Sequence, residues 1–459
     1  MKPRDYQSKV VEETEDELQY FSNAPLVVIP TGGGKTVVAA QLTKNGVSNG
    51  ERVWFLAHRK ELISQASKTF SAFGIPHGRI QAGVDYEDGH AVYVGSIQTL
   101  ARRLDSSIAP PDRIIIDEAH HSVAGTYLKI FSAYSNARRI GLTATPIRTN
   151  GSGLGSVFSQ LILGPTTSWL TDNGFLSPAK YYGPPPKFDT RGIPKRMGDY
   201  AVQALARVTD TSEITGDAVA HYERLCPGST MIVFCVNVAH AHHVAEEYRR
   251  AGYRAAAVDG KMSDEARSDI LGGIGTRYDI VTSCNLISEG LDVPSVGTVQ
   301  LLRKTDSLVE HLQEIGRGLR VSKGKDFLTV LDHVGNTVQH GYATTERAWT
   351  LEGTKKQASA AITLRACPSC YQVHRVARVC PHCDYEYPVK SKALTATKMV
   401  DGELVEVSQT KEERIAEVRA ATTYAELLAI GRARGYKSPH FWAKKIQKSW
   451  GRGYRMPRT

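Results

Sequence analysis

The 459-residue sequence predicts an α/β fold in which two parallel-sheet lobes are followed by a small zinc ribbon and a helical C-terminal module. Three observations predict it. Short β-branched apolar runs alternate with helix-like segments, the pattern of buried parallel strands joined by crossovers. That pattern runs to about residue 177, is interrupted by a Pro/Gly-rich stretch from about Pro178 to Gly198, and then resumes. Four of the seven cysteines form two close pairs between residues 367 and 383. The expected boundaries are residues 1–177 for the first lobe, 178–198 for a linker, 199–350 for the second lobe, 362–390 for the ribbon and 408–459 for the basic helical module.

Hydrophobic content of 41% and charged content of 23% describe a soluble globular chain. No apolar run approaches the roughly 20 residues that span a bilayer, and Met1-Lys2-Pro3-Arg4 opens no apolar signal core, so a cytoplasmic protein is expected. The net charge of +10 is concentrated at one end. From Leu427 to Thr459 there are nine Lys/Arg and no Asp or Glu, leaving 48 basic against 47 acidic residues before them. Such a tail suits nucleic-acid phosphates or a protein partner, with a solvated end as the plain alternative.

Taken in order, Arg4-Asp5-Tyr6-Gln7 opens a polar helical stretch to about Tyr20. A strand, Leu26-Val27-Val28-Ile29, then breaks at Pro30 and passes through Thr31-Gly32-Gly33-Gly34 to Lys35-Thr36 and the helix-like run Val37-Val38-Ala39-Ala40. Glycines let backbone N–H groups turn towards an anion, and a helix N-terminus adds partial positive charge. In such a phosphate loop Lys35 meets the β/γ-phosphates and the Thr36 hydroxyl holds Mg²⁺. Two further strands end in His58-Arg59-Lys60 and in Gly95-Ser96-Ile97-Gln98-Thr99. A fourth, Arg113-Ile114-Ile115-Ile116, delivers Asp117-Glu118-Ala119-His120. Downstream of a phosphate loop, an acid pair has a chemical use: Asp117 holds Mg²⁺ through its water shell, and Glu118 orients and deprotonates the attacking water. His121 is expected on the surface. A fifth strand leads into Thr143-Ala144-Thr145-Pro146, a tight turn of small hydroxyl residues able to link the acid pair to a neighbouring lobe.

The series Pro30-Thr31-Gly32-Gly33-Gly34-Lys35-Thr36, Asp117-Glu118-Ala119-His120 and Thr143-Ala144-Thr145-Pro146 resembles motifs I, II and III of superfamily 2 helicases of the DEAH type. The resemblance implies RecA-like lobes, ATP and Mg²⁺ as ligands, and a second lobe carrying arginine fingers. Met231-Ile232-Val233-Phe234-Cys235 is similar to motif IV, and Ser288-Glu289-Gly290-Leu291-Asp292 to motif V, which places Gly290 and Asp292 at the nucleotide. Gln313-Glu314-Ile315-Gly316-Arg317-Gly318-Leu319-Arg320 resembles motif VI, which implies catalytic roles for Gln313, Arg317 and Arg320. Three residues apart, the two arginines are expected on one helical face, pointing into the cleft. The same resemblance implies that Arg4 and Gln7 read adenine, that His120, Thr143 and Thr145 couple the lobes, and that Arg59, Ser96, Gln98, Thr99 and Thr282 line a nucleic-acid track. The architecture also looks like that of the RadD-like helicases of bacterial and phage DNA repair.

Cys367-Pro368-Ser369-Cys370 and Cys380-Pro381-His382-Cys383 make two knuckles with the spacing of a four-thiolate Zn²⁺ site. Four sulfurs leave no open position, so the metal is expected to be structural, with His374 and His382 outside the ligand set; redox dithiols are the competing reading. Cys235 and Cys284, in apolar runs, are expected in the core. At the end of the chain, Thr423-Tyr424-Ala425-Glu426 fits a capping box, and Ser438-Pro439 starts a helix that places Trp442, Ile446 and Trp450 on one face with lysines around the rest.

The expected function is therefore an ATP-dependent helicase or translocase on DNA, single-stranded or branched, acting in repair, recombination or replication. RNA as the track, the helicase subunit of a restriction system, and a non-motor nucleic-acid-binding scaffold are the alternatives.

Overall fold

The computed structural model of the chain describes residues 2–20, 24–84, 86–104, 108–183, 192–196, 198–210, 212–284, 293–353, 363–388, 417–418, 420–436 and 438–450. They fall into two compact units, Met1–Tyr387 and Pro388–Thr459.

The first lobe contains α1 (Asp5–Glu17), β1 (Pro25–Val28), α2 (Lys35–Ser48), β2 (Val53–Ala57), α3 (Lys60–Ala72), β3 (Gly78–Ile80), β4 (Val92–Ser96), α4 (Ile97–Ala101), β5 (Arg113–Ile116), α5 (Gly125–Ala133), β6 (Arg138–Thr143), β7 (Gln160–Leu163) and α6 (Thr167–Asp172). Its seven strands pair in parallel in the order β3-β4-β2-β5-β6-β1-β7. Successive strand residues point to opposite faces, so Val53, Phe55 and Ala57 of β2 join one core with α1, α2 and α3, while Trp54 and Leu56 join another with α4 and α5. Because β5, β6 and β1 are neighbours, the acid pair, the threonine turn and the phosphate loop emerge side by side at the carboxyl edge, where open parallel sheets bind ligands. At the far end of β5, the fully buried Arg113 donates to Glu51 (2.6 Å), Glu15 (2.8 and 3.1 Å) and the Leu42 carbonyl (3.0 Å), tying β5 to α1, α2 and the β2 entry.

The second lobe contains β8 (Ala179–Tyr182), the short pair β9 (Lys195–Arg196) and β10 (Asp199–Tyr200), α7 (Val202–Thr209), α8 (Ser212–Leu225), β11 (Met231–Phe234), α9 (Val238–Arg250), β12 (Ala255–Val258), α10 (Asp264–Gly272), β13 (Ile280–Ser283), β14 (Thr298–Leu301), α11 (Leu308–Gly316), β15 (Leu328–Asp332) and α12 (Asn336–His340). Its sheet, again parallel, runs β12-β13-β11-β14-β15-β8. The expected linker is thus corrected at its start: Ala179 to Tyr182 pair with β15 as an edge strand, since Tyr181 is apolar enough to join the second core. Cys235 is buried and half-buried Cys284 donates to the Val236 carbonyl at 3.3 Å, as core residues do.

Two segments leave the second lobe. Residues 341–353 return to the first lobe, where Trp349 and Leu351 pack on its core and the Gly155 N–H donates to the Leu351 carbonyl at 2.9 Å. An ideal Cβ on Gly353, at φ +90°, would lie 2.4 Å from the Gly153 nitrogen, so this contact requires glycine. The ribbon strands β16 (Leu364–Ala366) and β17 (Val373–Arg375) then pair antiparallel, and the Gly183 N–H just beyond β8 donates to the Tyr371 carbonyl at 2.8 Å. Leu364 and Val373 enter the second-lobe core.

In the C-terminal unit the helix Tyr424–Ala433 carries the expected capping box: Thr423 Oγ1 accepts from the Glu426 N–H, and Glu426 Oε2 accepts from the Thr423 N–H. It packs on the helix Pro439–Trp450 through Leu427, Ile430, Trp442, Ala443 and Ile446. The expected packing of Trp450 lies outside the described side chains, while Phe441 is 74% exposed beside exposed Lys444 and Lys445.

Candidate functional site

The phosphate loop is built by two left-handed glycines, Gly32 at φ +85° and Gly34 at φ +87°, which aim its backbone between β1 and the N-terminus of α2. An open cleft above it is lined by Thr31, Gly32, Gly34, Lys35 and Thr36, by Asp117 and Glu118, and from the second lobe by Arg317 and Arg320. The Lys35 ammonium lies 3.5 Å from Glu118 Oε1. Glu118 adopts φ 48°, ψ 53°, a left-handed conformation costly for a residue with a Cβ and typical of functional turns. Its other oxygen lies 3.3 Å from His120 Nδ1, which in turn sits 3.4 Å from Thr143 Oγ1. Thr143 Oγ1 donates to the Thr145 carbonyl and accepts from the Thr145 N–H. The expected coupling residues therefore form one buried chain within the first lobe, and Ala144, between the two threonines, lines a second cavity shared with Leu312, Gly316 and Leu319.

Burial, reinforced by the Glu118 charge and opposed by Lys35, pushes the Asp117 carboxyl up to about 6. An ionised carboxylate there gains from a cation, and with the Thr36 hydroxyl lining the same cleft the donor set fits Mg²⁺. Gly316 brings the lobes together: an ideal Cβ on it would lie 2.5 Å from Thr31 Cβ. Across the cleft Lys60 pairs with Asp264 at 2.9 Å and Glu61 with Arg267 at 3.0 Å.

Several expectations are modified. α11 ends at Gly316, so Arg317 and Arg320 do not share a helical face; Arg317 is the C-cap and Arg320 pairs with Leu176 in an isolated antiparallel bridge, yet both reach the cleft. Gln313 is buried in α11, away from the cleft lining. Gln7 Oε1 accepts from the Arg4 N–H at 2.9 Å and Nε2 lies 3.4 Å from the Gly33 carbonyl. Arg4 instead lies over the Phe175 ring at 4.5 Å. Thr282 is fully buried and its hydroxyl donates to the Ala241 carbonyl at 2.7 Å, so it faces no surface track. Ser96 caps α4 by accepting from the buried Thr99 N–H, Gln98 is exposed, and Arg59 is the half-buried N-cap of α3. His121 is half-buried and its ring lies 4.1 Å from that of His120. Gly290 and Asp292 lie outside the described residues.

An aromatic group escaped the sequence reading. Tyr6, Trp169 and Phe175 cluster with ring centroids 5.3 to 5.8 Å apart, and the Tyr6 hydroxyl donates to the Gly33 carbonyl at 2.9 Å. Trp169 is 42% exposed there. Residues 163 positions apart in the chain meet in this group, which no local pattern announces.

The four ribbon sulfurs all lie within 4.8 Å of one another, with Cys367–Cys383 at 3.6 Å and Cys370–Cys380 at 3.8 Å. Thiolates about 2.3 Å from a tetrahedral Zn²⁺ stand about 3.8 Å apart, so the set fits that ion. The two knuckles match: Tyr371 and Asp384, each following a second cysteine, take φ 63° and 57° and donate N–H bonds back to the carbonyls of Cys367 and Cys380. His374 stays out of the cluster, with Nε2 at the Tyr387 hydroxyl and Nδ1 at the Arg375 carbonyl.

Comparison with known proteins agrees with this geometry. The family Type III restriction enzyme, res subunit, matches residues 1–148, and the Helicase conserved C-terminal domain matches residues 217–322. A 51.5 kDa protein of a Lactococcus phage is 31% identical over 415 residues, which span 89% of this chain and 88% of the phage protein. IRC3 of Saccharomyces cerevisiae, whose name assigns it to the ATP-dependent helicases, is 26% identical over 72% of this chain, which covers about half (51%) of that protein. The fragment structure of an HsdR subunit of a type I restriction enzyme from Vibrio vulnificus YJ016 superposes with a TM-score of 0.59 at 25% identity, over 74% of this chain and 67% of the other. With two parallel-sheet lobes closing on a phosphate loop and an acid pair, and with these relatives, the chain belongs to the superfamily 2 helicases and is an ATP-hydrolysing enzyme.

Proposed function

We propose that the chain is a DNA-directed motor that couples ATP hydrolysis to movement on, or remodelling of, DNA. The observation that carries this reading is the single cleft lined by Lys35, Asp117 and Glu118 from one lobe and by Arg317 and Arg320 from the other. In the ground state the Lys35 ammonium rests on Glu118. An incoming γ-phosphate draws Lys35 to itself and frees Glu118 to accept a proton from the attacking water. Thr36 and Asp117 would hold Mg²⁺, which when bound would supply neutralising positive charge to the phosphates. Arg317 and Arg320 neutralise charge developing in the transition state, a contribution worth about 10³ to 10⁵ in rate in related chemistry. Loss of the γ-phosphate removes the ligand shared by both lobes, and the cleft opens. Each cycle shifts the grip of Arg59, Gln98 and neighbouring surface groups on a phosphodiester backbone.

DNA is favoured over RNA because the res-subunit family and the Vibrio subunit both belong to restriction enzymes. The same likeness supports a second reading, the motor subunit of a restriction assembly. The ribbon cysteines hold a structural Zn²⁺, and the basic module adds affinity for nucleic acid. No described helix is long and apolar enough to cross a membrane. An ATPase assay with no nucleic acid, single-stranded DNA, double-stranded DNA and RNA tests the proposal. DNA stimulation that Lys35→Ala or Glu118→Gln abolishes is expected; full turnover in either variant, or no stimulation by any polymer, overturns it.

A further inference from the structure

The two cleft arginines sit on a backbone stretch that no secondary structure holds, because α11 has already ended at Gly316. Something else must fix residues 317–320, since an arginine finger displaced by about 1 Å loses much of its effect. The carbonyls of Gly318 and Arg320 both accept from the Lys325 ammonium, the second at 2.8 Å. The Leu319 carbonyl accepts from the Ser177 N–H at 2.7 Å, and the Ser177 hydroxyl donates to the Arg320 carbonyl at 3.2 Å. Gly318 is pressed against Leu328, whose Cδ1 would lie 2.3 Å from an added Cβ. On the other side, Leu176 bridges Arg320 and places its Cδ2 2.8 Å from where a Cβ on Gly32 would stand, so the segment also touches the phosphate loop.

We propose that Lys325, assisted by Ser177, is a positioning residue for ATP hydrolysis: its ammonium clamps the carbonyls of Gly318 and Arg320 and so presents Arg317 and Arg320 to the γ-phosphate. This rests on the role assigned above to the two arginines. An ammonium suits the task because its three donors can serve two convergent carbonyls at once. Among the described residues no carboxylate lies within ion-pair distance of it. Among the described residues the charged group facing it is the Arg320 guanidinium, while Ser177, just before β8, and Leu328 of β15 are uncharged. Burial, aided by that guanidinium, lowers the Lys325 ammonium to about 8. The charge-assisted clamp is therefore in place at neutral pH and weakens as pH rises through about 8, where the ammonium becomes a neutral amine.

The test uses the full chain with saturating DNA. The wild type is expected to lose kcat above about pH 8; Lys325→Met is expected to lower kcat by about 10- to 100-fold while KM for ATP moves less than about threefold, and to show no such alkaline fall. Lys325→Arg, which keeps its charge at high pH, should retain more activity than Lys325→Met and flatten the same alkaline limb. Ser177→Ala, which leaves the ammonium in place, should cost only a few-fold and so covers the case in which Lys325→Met does not fold. In a double-mutant cycle Lys325→Met should cost clearly less on the Arg320→Ala background than on the wild type, the remainder acting through Arg317. A wild-type kcat for Lys325→Met, or effects that multiply in the double mutant, would overturn the positioning role. A wild-type kcat for Arg320→Ala would instead overturn the assignment of the arginine, so the two failures are distinguishable.

Discussion

Replacing Gly316 by alanine adds one methyl group at a close contact between the lobes. The new carbon would stand 2.5 Å from Thr31 Cβ, 2.8 Å from Cγ2 and 3.1 Å from Oγ1. Carbon atoms rest at about 3.5 to 4.0 Å, so a gap of about 1 Å must open. Rotating Thr31 about χ1 gives no relief, because its nearest atom is Cβ itself. Either Thr31 retreats, dragging the phosphate loop, or α11 retreats, carrying the backbone that leads to Arg317 and Arg320. A 1 Å error in such a site costs about 10² in rate, equivalent to about 2.7 kcal/mol of barrier. Folding stability should move little or rise slightly, since alanine is favoured over glycine in helices by up to about 1 kcal/mol. The expected result is a kcat for DNA-stimulated ATP hydrolysis about 100-fold below wild type with an unchanged thermal midpoint. A wild-type kcat, or an equal loss of activity and of folded protein, would refute a steric closure at Gly316.

Acid should loosen the second lobe through its buried imidazoles. Burial holds His240 down at about 4 and, with the neighbouring His221, His333 at about 3, both below the ordinary 6.5. Their stabilising neutrality is complete above pH 6.5 and is lost as pH falls towards 4, a cost of roughly 3 kcal/mol for His240; hydrogen exchange of β11 at pH 7, 5.5 and 4.5 reads it, and a His240→Phe variant that keeps the full acid sensitivity would contradict it. Elemental analysis of chelator-free protein should find one zinc per chain, and Cys370→Ser should remove it and raise exchange at Gly183, whose N–H is held by the ribbon; absence of zinc would reject the site. Deleting residues 408–459 should weaken DNA binding, and Lys444→Ala with Lys445→Ala should reduce the slope of log affinity against log salt by roughly one to two; unchanged binding would leave the C-terminal hairpin as a packed, solvated unit.

Much of the first lobe was legible because its chemistry is local. The glycines, Lys35 and Thr36 occupy one turn, and Asp117 and Glu118 sit directly beyond an apolar strand, so spacing alone placed them. The knuckles were legible for the same reason, four sulfurs at short intervals. What was not legible depends on packing between distant segments. Spacing put Arg317 and Arg320 on one helix face, but Gly316 ends α11 and Leu176 captures the following residues as a bridge. Tyr182 lies in a Pro/Gly-rich region that reads as a linker, yet an unpaired edge on β15 recruits its strand. Gln7 carries an adenine-reading expectation by resemblance, and the structure adds what the resemblance could not show, that its side chain packs between the Arg4 N–H and the phosphate-loop carbonyl of Gly33. Lys325, Trp169 and Tyr6 carry no signature of their own, and only the tertiary contacts give them a place in the site.

The return of residues 341–353 to the first lobe has a mechanical consequence. The polypeptide crosses the gap twice, once through residues 164–178 and once through this second passage, secured where Gly353 meets Gly153. A body held to another at one point can swing and twist in any direction. Held at two, it turns freely only about the line through both, as a gate does on a pair of pins. If the cleft opens as proposed on loss of the γ-phosphate, two crossings would favour rotation about that line over twisting in other directions.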